Sequence, residues 1–129
     1  MVWQGDLTKK KKSGGKKKAY RTKRSREAGR HPVETTLGDV EKKIVKGHSA
    51  IRKVKLASDN MVNVSDPSTG ASEHLQIIAV VRNPANVDYN RRRVLTKGAI
   101  IRTEKGLAKI VSRPGQDGIL NAVVYTEQP

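Results

Sequence analysis

Short apolar runs separated by turn signals dominate the chain beyond residue 34. Val62 and Val64 alternate with polar neighbours, which is the two-residue period of a half-buried strand. The other apolar runs are rich in β-branched residues and are bounded by Gly, Pro, Asn and Asp, which favour turns. We therefore predict strands around residues 62–64, 75–81, 99–103, 107–111 and 119–125.

The turn sequences and the scarcity of helical periodicity narrow the fold class. Turns are predicted at residues 66–70, 104–106 and 113–118, and only residues 86–93 have a locally helical pattern. Several closely spaced strands with almost no helix favour a small barrel or sandwich. We predict a mostly β protein with a small β-barrel-like domain at residues 35–129. Its core is expected to consist of Val, Ile, Leu and Ala, because Phe is absent, together with Tyr125.

Positive charge distinguishes the first part of the chain from this domain. The net charge is +15, and residues 1–30 contribute +10 of it with 12 Lys and Arg against two acids. Such dense like charge, with few apolar groups, predicts a segment that is disordered when free. We therefore predict a long extended basic N-terminal arm at residues 1–34, in which residues 20–28 could become helical on a partner.

The arm predicts a nucleic-acid partner, because each neutralised phosphate releases condensed counterions. Gly14 and Gly15 allow close backbone approach to phosphates. Lys supplies point charges, whereas Arg supplies a bidentate fork that can also stack on bases. We expect residues 9–18 to contact the backbone non-specifically and residues 21–30 to make more geometric contacts. The predicted RNA-binding residues of the arm are Lys9, Lys10, Lys11, Lys12, Gly14, Gly15, Lys16, Lys17, Lys18, Tyr20, Arg21, Lys23, Arg24, Arg26 and Arg30.

Two further basic clusters lie within the predicted domain. One follows Tyr89, which could stack on a base, and the other flanks the turn at residues 47–49, where a histidine could donate to a phosphate. A solvated surface is the alternative interpretation of both. The predicted RNA contacts in the domain are Lys46, His48, Lys53, Arg91, Arg92, Arg93 and Arg113.

Other classes of function have little support in the sequence. No apolar run resembles a signal peptide or a membrane span, and the arm lacks the apolar face of an interfacial helix. Gly15-Lys16 is not a phosphate loop, because Lys10 and Lys17 occupy positions that require Gly and Ser or Thr. Cysteine is absent, the three histidines have no metal-ligand spacing, and no nucleophile-elbow motif is present. We expect no enzymatic activity, cofactor, metal, membrane or small-molecule substrate.

An ordered set of short motifs resembles one known family, the small-subunit ribosomal protein eight family of archaea and eukaryotes. The set spans essentially the whole chain, and its length is similar to the compact archaeal form. The motifs are Trp3-Gln4-Gly5, Gly14-Gly15-Lys16, Glu27-x-Gly29-Arg30-x-Pro32, Thr35-x-Leu37-Gly38, Asp66-Pro67-x-Thr69-Gly70, Asn83-Pro84-Ala85-Asn86-x-x-Tyr89, Thr96-Lys97-Gly98-Ala99-Ile100-Ile101, Ser112-Arg113-Pro114-Gly115-Gln116-Asp117-Gly118 and Asn121-Ala122-Val123.

The resemblance implies a β-barrel-like domain whose arm threads into small-subunit ribosomal RNA. It also implies a cytoplasmic ribosomal location, neighbouring ribosomal proteins, a monomer within the particle and no catalysis. The chain departs from the family at Gly47-His48-Ser49, where Gly-Gly-Asn is common, and the missing second glycine limits close backbone approach. Two alternatives are a ribosome-assembly factor with the same domain and a DNA-compacting architectural protein.

Overall fold

The computed structural model describes residues 9–47 and 49–126. The chain divides into two compact units, Met1–Pro32 and Val33–Pro129. His48 and Trp3 lie outside the described residues. No helix within the described residues is long and apolar enough to cross a membrane.

Within the residues that the structure describes, the second unit contains nine strands and two short helices. The strands are β1 (Thr35–Leu37), β2 (Glu41–Lys46), β3 (Arg52–Asp59), β4 (Met61–Ser65), β5 (Ser72–Arg82), β6 (Val94–Leu95), β7 (Ile100–Thr103), β8 (Gly106–Ile110) and β9 (Asn121–Val124). The helices are α1 (Val87–Arg91), between β5 and β6, and α2 (Pro114–Asp117), between β8 and β9. The predicted mostly β fold is confirmed.

Five strands form a closed barrel in the order β4-β5-β7-β8-β9. The barrel closes where β9 pairs in parallel with β4, and the other neighbours in the barrel are antiparallel. Val62 and Val64 alternate with exposed Asn63, so one side of β4 points inward. Together with Ile101 and Ile110, these buried side chains form part of one hydrophobic cluster. The barrel predicted from the alternating pattern is therefore present.

The other four strands form a separate sheet in the order β2-β3-β1-β6. β1 runs parallel to β3 and antiparallel to β6. Thr35 is buried and its hydroxyl donates to the Leu56 carbonyl oxygen at 2.7 Å, while the Leu56 side chain belongs to the core cluster. β2 is at the end of this sheet, so its outer edge has no partner strand among the described residues.

The Asn83-Pro84 step ends β5 and begins the segment that contains α1. The side chain of Asn83 is buried, and its Nδ2 donates to the Val94 carbonyl oxygen at 2.9 Å. Its Oδ1 accepts hydrogen bonds from the Ala85 N–H and the Thr96 hydroxyl, both at 3.0 Å. The helical pattern predicted at residues 86–93 corresponds to the shorter α1. These bonds fix both ends of the α1 segment to the domain.

Two local predictions differ from the structure. The predicted turn at residues 113–118 contains the four-residue helix α2, whose first position is Pro114, where a missing N–H has no cost. The prediction that Tyr125 belongs to the core within the last strand is wrong. β9 ends at Val124, and Tyr125 is half-buried, with its N–H donating to the Leu107 carbonyl oxygen at 2.9 Å. The short strand leaves the phenol ring at the margin of the barrel.

Candidate nucleic-acid interface

A tight turn lies between the two lysine runs of the arm. The Gly14 N–H donates to the Lys11 carbonyl oxygen and the Lys11 N–H donates to the Gly15 carbonyl oxygen, both at 2.9 Å. Gly14 has a φ of +82°, a conformation that glycine adopts without a Cβ penalty. The turn therefore separates the lysine run at residues 9–12 from the run at residues 16–18. All seven side chains are exposed: Lys9, Lys10, Lys11, Lys12, Lys16, Lys17 and Lys18.

The arginine-rich part of the arm is organised around Glu27. Both terminal nitrogens of Arg21 donate to the Glu27 carboxylate at 2.7 Å, and the Arg24 N–H donates to it at 3.2 Å. Arg21 Nε also donates to the Tyr20 hydroxyl at 2.9 Å. The Glu27 and Ala28 N–H groups donate to the Arg24 carbonyl oxygen, so residues 20–28 contain one turn rather than a helix. This hydrogen-bonded loop holds Arg21 while the surrounding cations Lys23, Arg24, Arg26 and Arg30 are exposed.

The pKa of Glu27 provides a direct test of this loop. The Arg21 side-chain hydrogen bonds, followed by the Arg24 backbone hydrogen bond, lower the Glu27 pKa to about 2. The folded-state pKa lies below the unfolded one, so the loop should be fully closed above about pH 4.5 and should open as the pH falls through about 2. Side-chain carboxyl chemical shifts followed by NMR should report this value.

Arg21→Lys, which loses the bidentate fork, should raise the Glu27 pKa toward its ordinary range. Arg26→Lys is the matched control, and an equal rise in both variants would contradict this arrangement.

The strands β2 and β3 form a hairpin that contains a second group of predicted contacts. Lys46 pairs in register with Arg52 at the end of this hairpin, and both side chains are exposed. Lys53 Nζ donates to the Gln116 side chain of α2 at 3.1 Å, so the hairpin is connected to the segment that begins with Arg113. The structure therefore brings Lys53 close to α2, which begins directly after Arg113, although the two are far apart in sequence. Lys46 lies on the opposite face of the hairpin from Lys53.

The three consecutive arginines after α1 differ in their environments. Arg91 forms an ion pair with Asp88 at 3.3 Å, and Arg92 forms one with Glu34. Arg93 is exposed with a φ of +53° and makes no ion pair with any residue that the structure describes. Two of the three arginines are thus paired with carboxylates, and Arg93 is the one most available to a phosphate.

The two tyrosines beside basic runs, Tyr20 and Tyr89, are also not equivalent as candidates for stacking on a base. Tyr20 is 90% exposed, and the Arg21 guanidinium carbon lies 5.2 Å from its ring centroid. Tyr89 lies in α1 and is half-buried. Tyr20 therefore has the more open ring for stacking on a nucleobase.

Several partners within this interface were not evident from the sequence. Glu27 organises the arginine-rich loop from six residues away, and Gln116 meets Lys53 across 63 residues. Neither spacing has a helical or strand period, so no simple sequence signal identifies them. Within residues 9–47 and 49–126, no group of three or more His, Cys, Asp or Glu side chains is placed to hold a metal ion.

Comparison with known proteins identifies the family. Residues 4–125 match the family described as ribosomal protein S8e. The chain is 47% identical over 127 residues to the small ribosomal subunit protein eS8 of Methanococcus aeolicus, with 98% of each chain covered. It is 44% identical to the protein of that name from Methanocorpusculum labreanum, covering 96% of this chain and 98% of the relative. The Methanobrevibacter smithii protein of that name is 43% identical, covering 87% of this chain and 90% of the relative.

These matches agree with the absence of catalytic motifs in the sequence, because S8e proteins are structural components rather than enzymes. The resemblance found in the sequence motifs is confirmed over nearly the whole chain. The chain belongs to the ribosomal protein S8e family.

Proposed function

We propose that this protein is a structural constituent of the archaeal small ribosomal subunit and stabilises ribosomal RNA by neutralising its phosphates. The observation that carries this proposal is the turn in the arm, which places seven exposed lysines in one short segment. Family membership supports it, since the three archaeal relatives are named small ribosomal subunit proteins. The charge supports a nucleic-acid partner, because phosphates bound by such a cluster release counterions, and the ribosomal names of the relatives favour RNA over DNA.

In this proposal, residues 1–34 act as the RNA-binding arm and residues 35–129 as the domain that supports it. The lysines at 9–18 contact the RNA backbone without sequence preference, and the arginine-rich loop makes the more geometric contacts. Secondary contacts come from Lys46 and Lys53, which lie on opposite faces of the β2–β3 hairpin, and from Arg93. The protein acts as a monomer within the particle, beside other ribosomal proteins in the cytoplasm.

Sedimentation of archaeal small subunits through a high-salt gradient tests the assignment. A structural constituent should remain with the small subunit at a constant ratio after the high-salt wash. Complete loss from mature subunits, with retention on precursor particles, would instead indicate an assembly factor. Preferential binding to duplex DNA in competition with A-form RNA would indicate a DNA-compacting protein.

A further inference from the structure

The β2–β3 hairpin exposes large aliphatic side chains among its cations. Ile44 is 69% exposed and Ile51 is 60% exposed, although isoleucine is usually buried. Residues 41–46 of β2 and 52–54 of β3 have almost no buried positions. Ile44 lies opposite Val54, which is 40% exposed, so the two side chains form an apolar patch among the cations of the hairpin.

The strand register shows how the apolar and basic side chains are arranged. Ile44 is opposite Val54, and Lys46 is opposite Arg52, so these four side chains lie on one face of the hairpin. Lys42, two residues before Ile44, lies on that face as well. The exposed part of this face therefore has Ile44 and Val54 at its centre, Lys46 and Arg52 toward the end of the hairpin, and Lys42 on the other side along β2. Leu56, opposite Lys42, points to the same side but is buried in the core, so the exposed face ends there.

Two cations on the opposite face of the hairpin have partners within the domain. Lys43 lies on the other face, where it forms an ion pair with Glu41 at 3.5 Å. Lys53, on that same face, reaches the Gln116 side chain of α2. The side that presents Ile44 thus carries the cations for which the described residues provide no ion-pair partner.

A folded RNA fits this combination of side chains. The minor groove of A-form RNA is wide and shallow and displays riboses and base edges, whereas its major groove is too deep and narrow for side chains to read. Short aliphatic side chains on a flat ribbon can reach a shallow groove. Phosphates border such a groove, in positions that suit flanking cations.

We propose that the face formed by Lys42, Ile44, Lys46, Arg52 and Val54 docks into the minor groove of small-subunit ribosomal RNA. Ile44 packs against ribose and base edges at the centre, while Lys42, Lys46 and Arg52 contact the bordering phosphates. This inference rests on the proposed function and adds to it an apolar contact that does not depend on salt. It gives the hairpin a role in recognising RNA shape, in addition to its charge.

Salt dependence separates the apolar contact from the ionic ones. Affinity for an in vitro transcript of archaeal small-subunit ribosomal RNA would be measured with the full chain across a range of salt concentrations. Ile44→Thr keeps the β-branch that suits a strand and should lower affinity by about five- to tenfold at every salt concentration, with an unchanged salt slope. Lys46→Gln should instead make the slope shallower by about one.

Matched variants isolate the role of Ile44. Ile44→Val should bind within about twofold of the parent, because most of its apolar area is retained. Ile78, which is 57% exposed on β5, provides the control, and Ile78→Thr should leave affinity unchanged. Ile44→Lys should weaken binding most clearly at high salt, where an added charge gains little.

Three results would overturn the inference. If Ile44→Thr both binds RNA like the parent and remains on small subunits, or if Ile44→Lys binds more tightly at every salt concentration, the face contacts phosphates only. If Ile44→Thr binds naked RNA normally but is lost from small subunits, the face packs against another ribosomal protein. A parent chain that neither binds RNA nor remains on the subunit would instead refute the proposed function itself, and the inference with it.

Discussion

Neutralising the seven lysines of residues 9–18 should remove most of the salt-dependent affinity for RNA. If the intact protein neutralises roughly six to ten phosphates, its affinity should fall by ~10³–10⁵ between about 50 and 200 mM salt. Each lysine that contacts a phosphate contributes about one to the slope of log affinity against log salt. Replacing all seven by Gln should therefore flatten the slope by up to about seven and weaken binding at low salt most strongly.

The matched control retains the charge. A chain with the same seven lysines replaced by Arg should keep the steep slope, because point charge rather than side-chain geometry is expected to matter in this segment. Filter binding to ribosomal RNA over a salt series measures both chains. Circular dichroism should show the same strand content for both, since the hydrophobic cluster consists of residues between Leu37 and Ala122. An unchanged slope in the variant with seven glutamines would mean that the phosphate contacts lie outside residues 9–18.

Gly118→Ala should be among the most destabilising single substitutions in the domain. Gly118 has a φ of +71°, and a Cβ there would lie 3.0 Å from both Cγ1 and the carbonyl oxygen of Val54. That oxygen belongs to β3, which is held on its other side by β2, so it cannot move away freely. The left-handed backbone costs alanine about 1–2 kcal/mol, and the crowding should add about 1–3 kcal/mol.

Gly70 offers a matched comparison, because it also has a φ of +71°, but beyond its two chain neighbours a Cβ added there would meet no atom of the described residues within 4 Å. Gly70→Ala should therefore show only the backbone cost. Urea unfolding monitored by circular dichroism gives both free energies of unfolding, and the difference between them measures the contact of the α2 C-terminus with β3. Equal losses for the two variants would show that β3 yields to the methyl group without strain.

The barrel could be predicted from the sequence because its strands alternate regularly. Val62 and Val64 point inward and their polar neighbours outward, and glycine or proline marks most turns. The second sheet was less evident. β1 has only three residues, and β2 is almost wholly exposed, so neither produces an alternating signal. The parallel pairing of β1 with β3 depends on long-range contacts that local patterns do not encode.

For the candidate interface, the charge of the arm could be predicted from the sequence, but the ion pairs could not. Composition was sufficient to predict an arm with excess positive charge, because like charges in one segment need no tertiary information. The acids that engage the arginines were not predictable. Arg92 meets Glu34 across 58 residues, and Arg21 meets Glu27 through a loop without regular periodicity. The fold thus decides which of the predicted cations remain available to RNA.

The parallel pairing of β9 with β4 has a consequence for the order of folding during synthesis. Residues 121–124 fill the gap between β4 and β8, so the barrel can close only after β9 has been translated. Until then, β4 and β8 each present an unpaired edge that can associate with other chains. The lysine runs at residues 9–18 are made before these strands and are available during that interval. A nascent chain that binds RNA as proposed can therefore do so before its barrel is complete, and early binding of this kind would keep the open edges apart.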